Sequence, residues 1–226
     1  MNALAELLVE KGHLVLDGAM GTQLFEAGLV AGDAPESWNL DRPDDITAIH
    51  RAYVAAGSDI YLSDSFGGTS FRRKLHGLDD QDREVNAAAA RNARAAADEA
   101  DRRVLVAGSM GPTGELVEPL GHLTPAEVED GFAAQAEGLA EGGVDILWLE
   151  TLSALNVLEA GVRGVRKVTD LPIVATMSYD TAGRTMMGVT GTAQGEMNPE
   201  LGLDAARANC RATIPDRTGE RRAGEE

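Results

Sequence analysis

The chain has 226 residues, 43% of them hydrophobic, enough for one sizeable core and pointing to a single domain. Its formal net charge is -17, from 37 acidic and 20 basic residues. Such a surface repels phosphate backbones and anionic lipid, so neither nucleic acid nor a membrane is expected as a partner. The one cysteine, Cys210, allows no intrachain disulfide and suits a reducing compartment. The first ten residues lack a basic leader and carry acids within their apolar run, unlike a signal peptide. No stretch approaches the roughly 20 apolar residues a membrane helix needs. The expectation is a soluble, cytoplasmic protein.

Short β-branched runs alternate with longer helical ones. The predicted strands are Leu14–Asp17, Asp59–Asp64, Val104–Gly108, Asp145–Glu150, Ile173–Ser178 and Ala205–Asn209. A helix is predicted over 44–56, with Asp44 and Asp45 in its first turn, where the helix dipole favours acids. A second covers 82–100, striped by Val85, Ala88, Ala89 and Ala93. A third starts at Thr124-Pro-Ala-Glu127, where Thr124 caps, Pro125 fits the first turn and Glu127 completes a capping box. A fourth runs over 154–167. The connection around 192–202 reads as short and poorly helical.

This alternation implies a parallel sheet wrapped by helices. A weak repeat supports regular units: Gly57-Ser-Asp59-Ile, Gly143-Val-Asp145-Ile and Gly202-Leu-Asp204-Ala each end a helix on glycine and begin an apolar strand. The fold class is α/β, a (β/α)₈ barrel with about six of eight βα units, since a full barrel takes typically about 250 residues. A doubly wound sheet is the alternative, but Gly18-Ala-Met-Gly21 is not its G-x-G-x-x-G loop. After Cys210 only Ile214 is a large apolar residue. Residues 1–210 are therefore assigned to the partial barrel, and 211–226 are expected to be a disordered tail.

Barrels place chemistry at the carboxyl ends of strands. Those ends carry Asp17, Asp64, Ser109, Glu150, Ser178 with Asp180, and Cys210. Asp17-Gly18 also reads as a plain turn. Glu150 follows the apolar run Ile146–Leu149, and a buried acid is costly unless paired, so it marks a site or a structural ion pair. Asp64 is weaker, because Ser63 and Ser65 make its surroundings polar. Ser109–Gly114 reads as an anion cradle or a glycine-proline turn. Cys210 alone reads as a small core residue or a ligand. His50 is expected on a helix surface, with His76 and His122 on loops at the active face. No lysine ends a strand, which argues against a Schiff base.

Six blocks in order give these residues a context: Leu16-Asp-Gly-Ala-Met-Gly-Thr22, Ser65-Phe-Gly-Gly-Thr69, Gly108-Ser-Met-Gly-Pro-Thr-Gly114, Leu149-Glu-Thr151, Asp180-Thr-Ala-Gly-Arg-Thr-Met-Met-Gly188 and Ala208-Asn-Cys210. Together they resemble the homocysteine S-methyltransferase family, in wording nearest its bacterial betaine–homocysteine type. The resemblance implies a (β/α)₈ barrel that binds zinc through three cysteines and methylates homocysteine with betaine or a similar donor. It implies that Asp17 and Gly18 hold the amino-acid end of homocysteine, that Glu150 binds its ammonium, and that Cys210 is the first zinc ligand. The family's later adjacent cysteine pair has no counterpart here. Zinc on one thiolate would be weakly held, so little activity is expected of these residues alone. The open sheet edges of a partial barrel lead to an expectation of self-association, with a homo-oligomer possible. Three other readings stay open. One is a truncated, non-catalytic relative. Another is the homocysteine domain of a cobalamin-dependent methionine synthase. The third is an unrelated lyase or isomerase using Asp17 and Glu150 as acid and base.

Overall fold

A computed structural model describes residues 2–77, 81–179 and 183–209. In chain order the elements are α1 (Ala3–Lys11), α2 (Met20–Glu26), α3 (Trp38–Asp41), α4 (Pro43–Ala56), β1 (Ile60–Leu62), α5 (Ser70–Arg73), α6 (Asp82–Asp98), β2 (Leu105–Met110), α7 (Pro125–Gly142), β3 (Ile146–Leu152), α8 (Leu155–Arg166), β4 (Ile173–Ser178), α9 (Gly191–Glu200) and β5 (Ala205–Asn209). All strand pairs are parallel, and the sheet order is β1-β2-β3-β4-β5. Sequential order without a reversal is singly wound, which excludes the doubly wound alternative. The described residues form half of a (β/α)₈ barrel.

The two faces of the sheet bury different sets. Tyr61, Val106, Leu147, Leu149, Ile173, Ala175 and Met177 point outward into the main core beneath α6, α7 and α8. Ile60, Leu62, Leu105, Ala107, Ile146, Trp148 and Val174 point inward, where α1 covers them with Leu4 and Leu7. This is strand periodicity of two applied in phase across four strands. The helices pack closely because their facing residues are small. A Cβ on Gly142 would lie 2.4 Å from the Ala87 carbonyl oxygen on α6.

The Gly-x-Asp repeat acquires a physical meaning in the structure. Each aspartate grips one residue of the neighbouring segment twice. Asp59 donates its N–H to the Val15 carbonyl and accepts the Val15 N–H on Oδ2, at 2.7 and 2.9 Å. Asp145 does the same to Val106, at 2.8 and 2.8 Å. Asp204 does the same to Ile173, at 2.9 and 2.8 Å. A cation stands behind each carboxylate: Lys11 for Asp59, Arg94 for Asp145 at 2.6 Å and Arg166 for Asp204 at 3.9 Å.

The sequence reading needs three corrections here. Leu14–Asp17 is not a full strand; it makes a single parallel bridge, Leu16 to Ile60. Residues 191–200 are helical despite Gly195 and Pro199, because the Thr190 side chain caps the helix by accepting the Ala193 N–H at 3.1 Å. His50 is not on a helix surface. It is fully buried, its ring 5.0 Å from that of Tyr61, and burial pushes its pKa down to about 3, so it is neutral. The other helices keep their places, and the Thr124–Glu127 capping box is formed. Among the described residues no helix is long and apolar enough to cross a membrane.

Removing one aspartate grip should be costly. Asp145→Ala is expected to lower unfolding free energy by about 2 kcal/mol, because it orphans the buried Val106 N–H and leaves Arg94 with only its hydrogen bonds to the Gly143 carbonyl. Glu99→Ala breaks only the exposed pair with Arg51 and should cost far less. Urea unfolding of the two variants checks the difference.

Candidate functional site

The inward periodicity continues past the apolar layer and delivers polar residues to the carboxyl ends of the strands. Asp17, Asp64, Ser109, Glu150, Thr176 and Asn209 all line one cleft of about 930 Å³. Loops from the same end close its walls with Gly18, Glu36, Phe66, Arg72 and His76.

Asp17 is partly buried. Its Oδ2 accepts the Leu62 N–H at 2.9 Å. Burial raises its pKa to about 7; the Leu62 hydrogen bond opposes that shift and the nearby Glu150 charge adds to it. Beside it, Gly18 is the residue type the geometry demands. A Cβ there would meet the Tyr53 ring and hydroxyl oxygen at 2.9 Å, and that hydroxyl donates to the Ala19 carbonyl at 2.8 Å.

Glu150 also has a raised pKa, chiefly from burial, and hydrogen bonds from Ser109 and Thr151 oppose the shift. The Ser109 hydroxyl donates to its Oε1. The next residue, Thr151, sits at φ 63°, the one non-glycine residue with positive φ among those described. The β3–β4 register shifts between Leu149 and Leu152, so Glu150 and Thr151 lie in an irregularity of the strand. Such features re-aim side chains next to sites, and left-handed backbone in a β-branched residue persists only when its surroundings hold it. Here the Thr151 N–H donates to Thr176 Oγ1 at 3.2 Å, and Asn209 Nδ2 donates to Thr151 Oγ1 at 3.0 Å.

A second acidic pair lies in the same cleft. Glu36, buried at the start of the segment leading to α3, accepts the Gly67 N–H at 2.6 Å. Asp64 is 6% exposed, and its Oδ2 has no hydrogen-bond partner among the described residues. Burial, and then the Glu36 charge, push its carboxyl well above the ordinary range. Ser63 and Ser65 do flank Asp64 with polar groups, but all three residues are buried. The hydroxyls of Ser63 and Ser65 bond each other at 2.7 Å instead of the acid. Glu36 was missed altogether. Its place in Pro35-Glu36-Ser37 looks like any acid at a helix start.

The structure brings Asp17, Gly18 and Glu150 together, as their strand-end positions require. Ser109 serves Glu150, with its side chain in a buried strand rather than in an anion cradle. His76 lines the cleft, while His122 is exposed and does not. Cys210 and Asp180 lie outside the described residues, although Asn209, the chain neighbour of Cys210, lines the cleft. Among the described residues no group of three His, Cys, Asp or Glu could hold a metal ion.

With this geometry in place, comparison with known proteins is decisive. Residues 14–218 match the family described as homocysteine S-methyltransferase. The chain belongs to that family. Methionine synthase of Mycobacterium tuberculosis (strain ATCC 25618 / H37Rv) is 35% identical over 217 residues, and that of Mycobacterium leprae (strain TN) is 34% identical over the same length. Each alignment covers 89% of this chain and 18% of the relative, so the chain spans under a fifth of the length of these curated relatives. Among solved structures, the homocysteine methyltransferase MmuM from Escherichia coli superposes in its apo form with a TM-score of 0.75 at 22% identity, over 97% of this chain and 80% of that chain. Its oxidized form gives a TM-score of 0.72 at 20% identity over the whole of both chains, and a metallated form gives 0.71. These likenesses establish the shared barrel fold.

The raised Asp17 carboxyl has a consequence for stability. A folded pKa above the unfolded value favours the protonated form, so its stabilising contribution is full below 3.8 and is lost as pH climbs through about 7. Asp17→Asn mimics the neutral acid at every pH. The variant's melting temperature should gain on that of the wild-type protein as pH rises through this window, and thermal melts across it check the trend.

Proposed function

We propose that the cleft binds homocysteine and that its thiol receives a methyl group, giving methionine. The carrying observation is the pair of partly desolvated carboxyl groups, Asp17 and Glu150, facing one cleft in a chain that matches the family over residues 14–218. Acids held away from water gain most from a cation, because the charged form is what burial penalises. In this reading Glu150 takes the ammonium, as a charge-assisted hydrogen bond in a partly dry site is strong. The Asp17-Gly18 turn holds the rest of the amino-acid end, and the sulfur is left pointing toward the end of β5. Anchoring both groups fixes the direction from which a methyl carbon can approach.

Zinc would supply the activated thiolate, by lowering the thiol pKa. Cys210 is our candidate for one ligand, following Asn209 at the cleft wall. The described residues do not complete a three-ligand set, and the sequence holds one cysteine. A three-thiolate site therefore needs ligands from outside these 226 residues.

For the donor, betaine or a similar small methyl donor is the first reading. The second is a homocysteine-binding module of a methionine synthase, and the 35% identity to the mycobacterial enzyme over 18% of its length favours that one. Both share the same acceptor site. Titration calorimetry with homocysteine tests that site directly. The full chain should bind it, and Glu150→Gln should weaken binding by about tenfold or more, the loss of one charged hydrogen bond. Absence of binding, or an unaffected Glu150→Gln variant, would contradict the proposal. Methionine formation on supplying betaine, with zinc present, separates an enzyme from a binding module.

A further inference from the structure

An amino acid brings a carboxylate as well as an ammonium, and the acids of the cleft can serve only the second. Asp17, Glu36, Asp64 and Glu150 all line it, and each repels a carboxylate once charged. The carboxylate therefore needs a cation in the same space, and the lining offers Arg72, Arg73, His76 and Arg207. Three of these belong to one short segment, 72–76. There Arg73 bridges to Asp82 at 3.0 Å, and the Arg72 guanidinium lies 5.9 Å from the centre of the Phe66 ring. Arg207 is the one carried by a strand, β5. The ladder fixes its place. Thr176 on β4 pairs with Arg207, and Glu150 lies beside Thr176 in the irregular stretch of β3 that follows the Leu149–Ala175 pair. Glu150, Thr176 and Arg207 all line the cleft, so they form one inward row over three neighbouring strands. Adjacent strands lie about 4.8 Å apart, which puts the backbones of Glu150 and Arg207 roughly 10 Å from each other. Among the described residues Arg207 is exposed and makes no ion pair.

Resting on the homocysteine reading above, we propose that Arg207 binds the carboxylate of the acceptor while Glu150 takes its ammonium, so that the site selects α-amino acids over simple amines. A guanidinium presents a planar fork that matches the two oxygens of a carboxylate, and such charge-assisted pairs are strong. With opposite charges at the two ends of one row, the amino acid lies across the strands, its ammonium toward β3 and its carboxylate toward β5. Asn209 is one inward step beyond Arg207 on β5, and Cys210 follows it. The side chain that bears the thiol is then free to run toward the strand ends. Acids alone would favour a plain amine, which carries a net positive charge, over a zwitterion. Preference for the zwitterion is thus the signature of a cation in the row.

The test is titration calorimetry on the full chain with homocysteine and with 3-aminopropane-1-thiol, which is homocysteine without its carboxylate. The wild-type protein should bind homocysteine about tenfold or more tightly than the amine. Arg207→Gln, a change at an exposed position, should remove that preference, and Arg207→Lys should keep part of it because the charge remains. Equal or tighter wild-type binding of the amine overturns the proposal, and that comparison requires no variant. A full preference retained in folded Arg207→Gln overturns it as well. If homocysteine binds but the amine binds equally, Arg207 fails alone; if homocysteine never binds, the homocysteine reading fails and the proposal with it.

Discussion

Three aspartates hold this sheet in register, and the cleft depends on that register. Each one stands immediately before its strand and holds a single residue of the neighbouring segment, Val15, Val106 or Ile173, through both its amide and its carboxylate. A slip of one residue would send every inward side chain outward. With the register held, the inward row runs from Leu4 and Leu7 on α1, through Trp148 and Val174, to Glu150 and Thr176 at the far end. The grip lies at one end of the strands and the chemistry at the other. This is the division of labour between stability and function expected of parallel barrels.

The site itself is costly to the fold. Asp17, Asp64 and Glu150 are all pushed toward protonation by burial, in a chain already carrying a net charge of -17. Nothing in core packing requires them there. A cleft that concentrates partly desolvated acids lowers its energy on receiving a cation, so what the fold loses in stability it regains in recognition. Thr151 tells the same story in backbone terms. Its left-handed conformation, beside Glu150 in the irregular stretch of β3, is held by Thr176 and Asn209 from the two following strands.

Much of this was legible in the sequence. Helix limits followed from caps and periodicity, as at Thr124–Glu127, and the Gly-x-Asp repeat marked three strand starts before its hydrogen bonds were known. Strand ends marked Asp17 and Glu150 as candidates and the family resemblance added Gly18, and all three line one cleft. The failures share a cause. Leu14–Asp17 has strand composition, but its pairing is limited to one bridge, and pairing is a tertiary fact. Gly195 and Pro199 argue against a helix that the Thr190 cap nonetheless starts. His50 looks solvated from its neighbours in the chain, and only the packing of α4 against Tyr61 shows otherwise. No local spacing encodes which acid meets which across a barrel.

The central claim is that acids held partly protonated by burial exist to receive an amino-acid ammonium. Methionine carries that ammonium without a free thiol, so it isolates the event. Calorimetric titration of methionine near pH 7, where Asp17 titrates, in buffers of different ionisation enthalpy counts the protons exchanged on binding. The account requires binding with net proton release, as the incoming cation drives Asp17 to its charged form. Binding with no proton change, or with uptake, would contradict it.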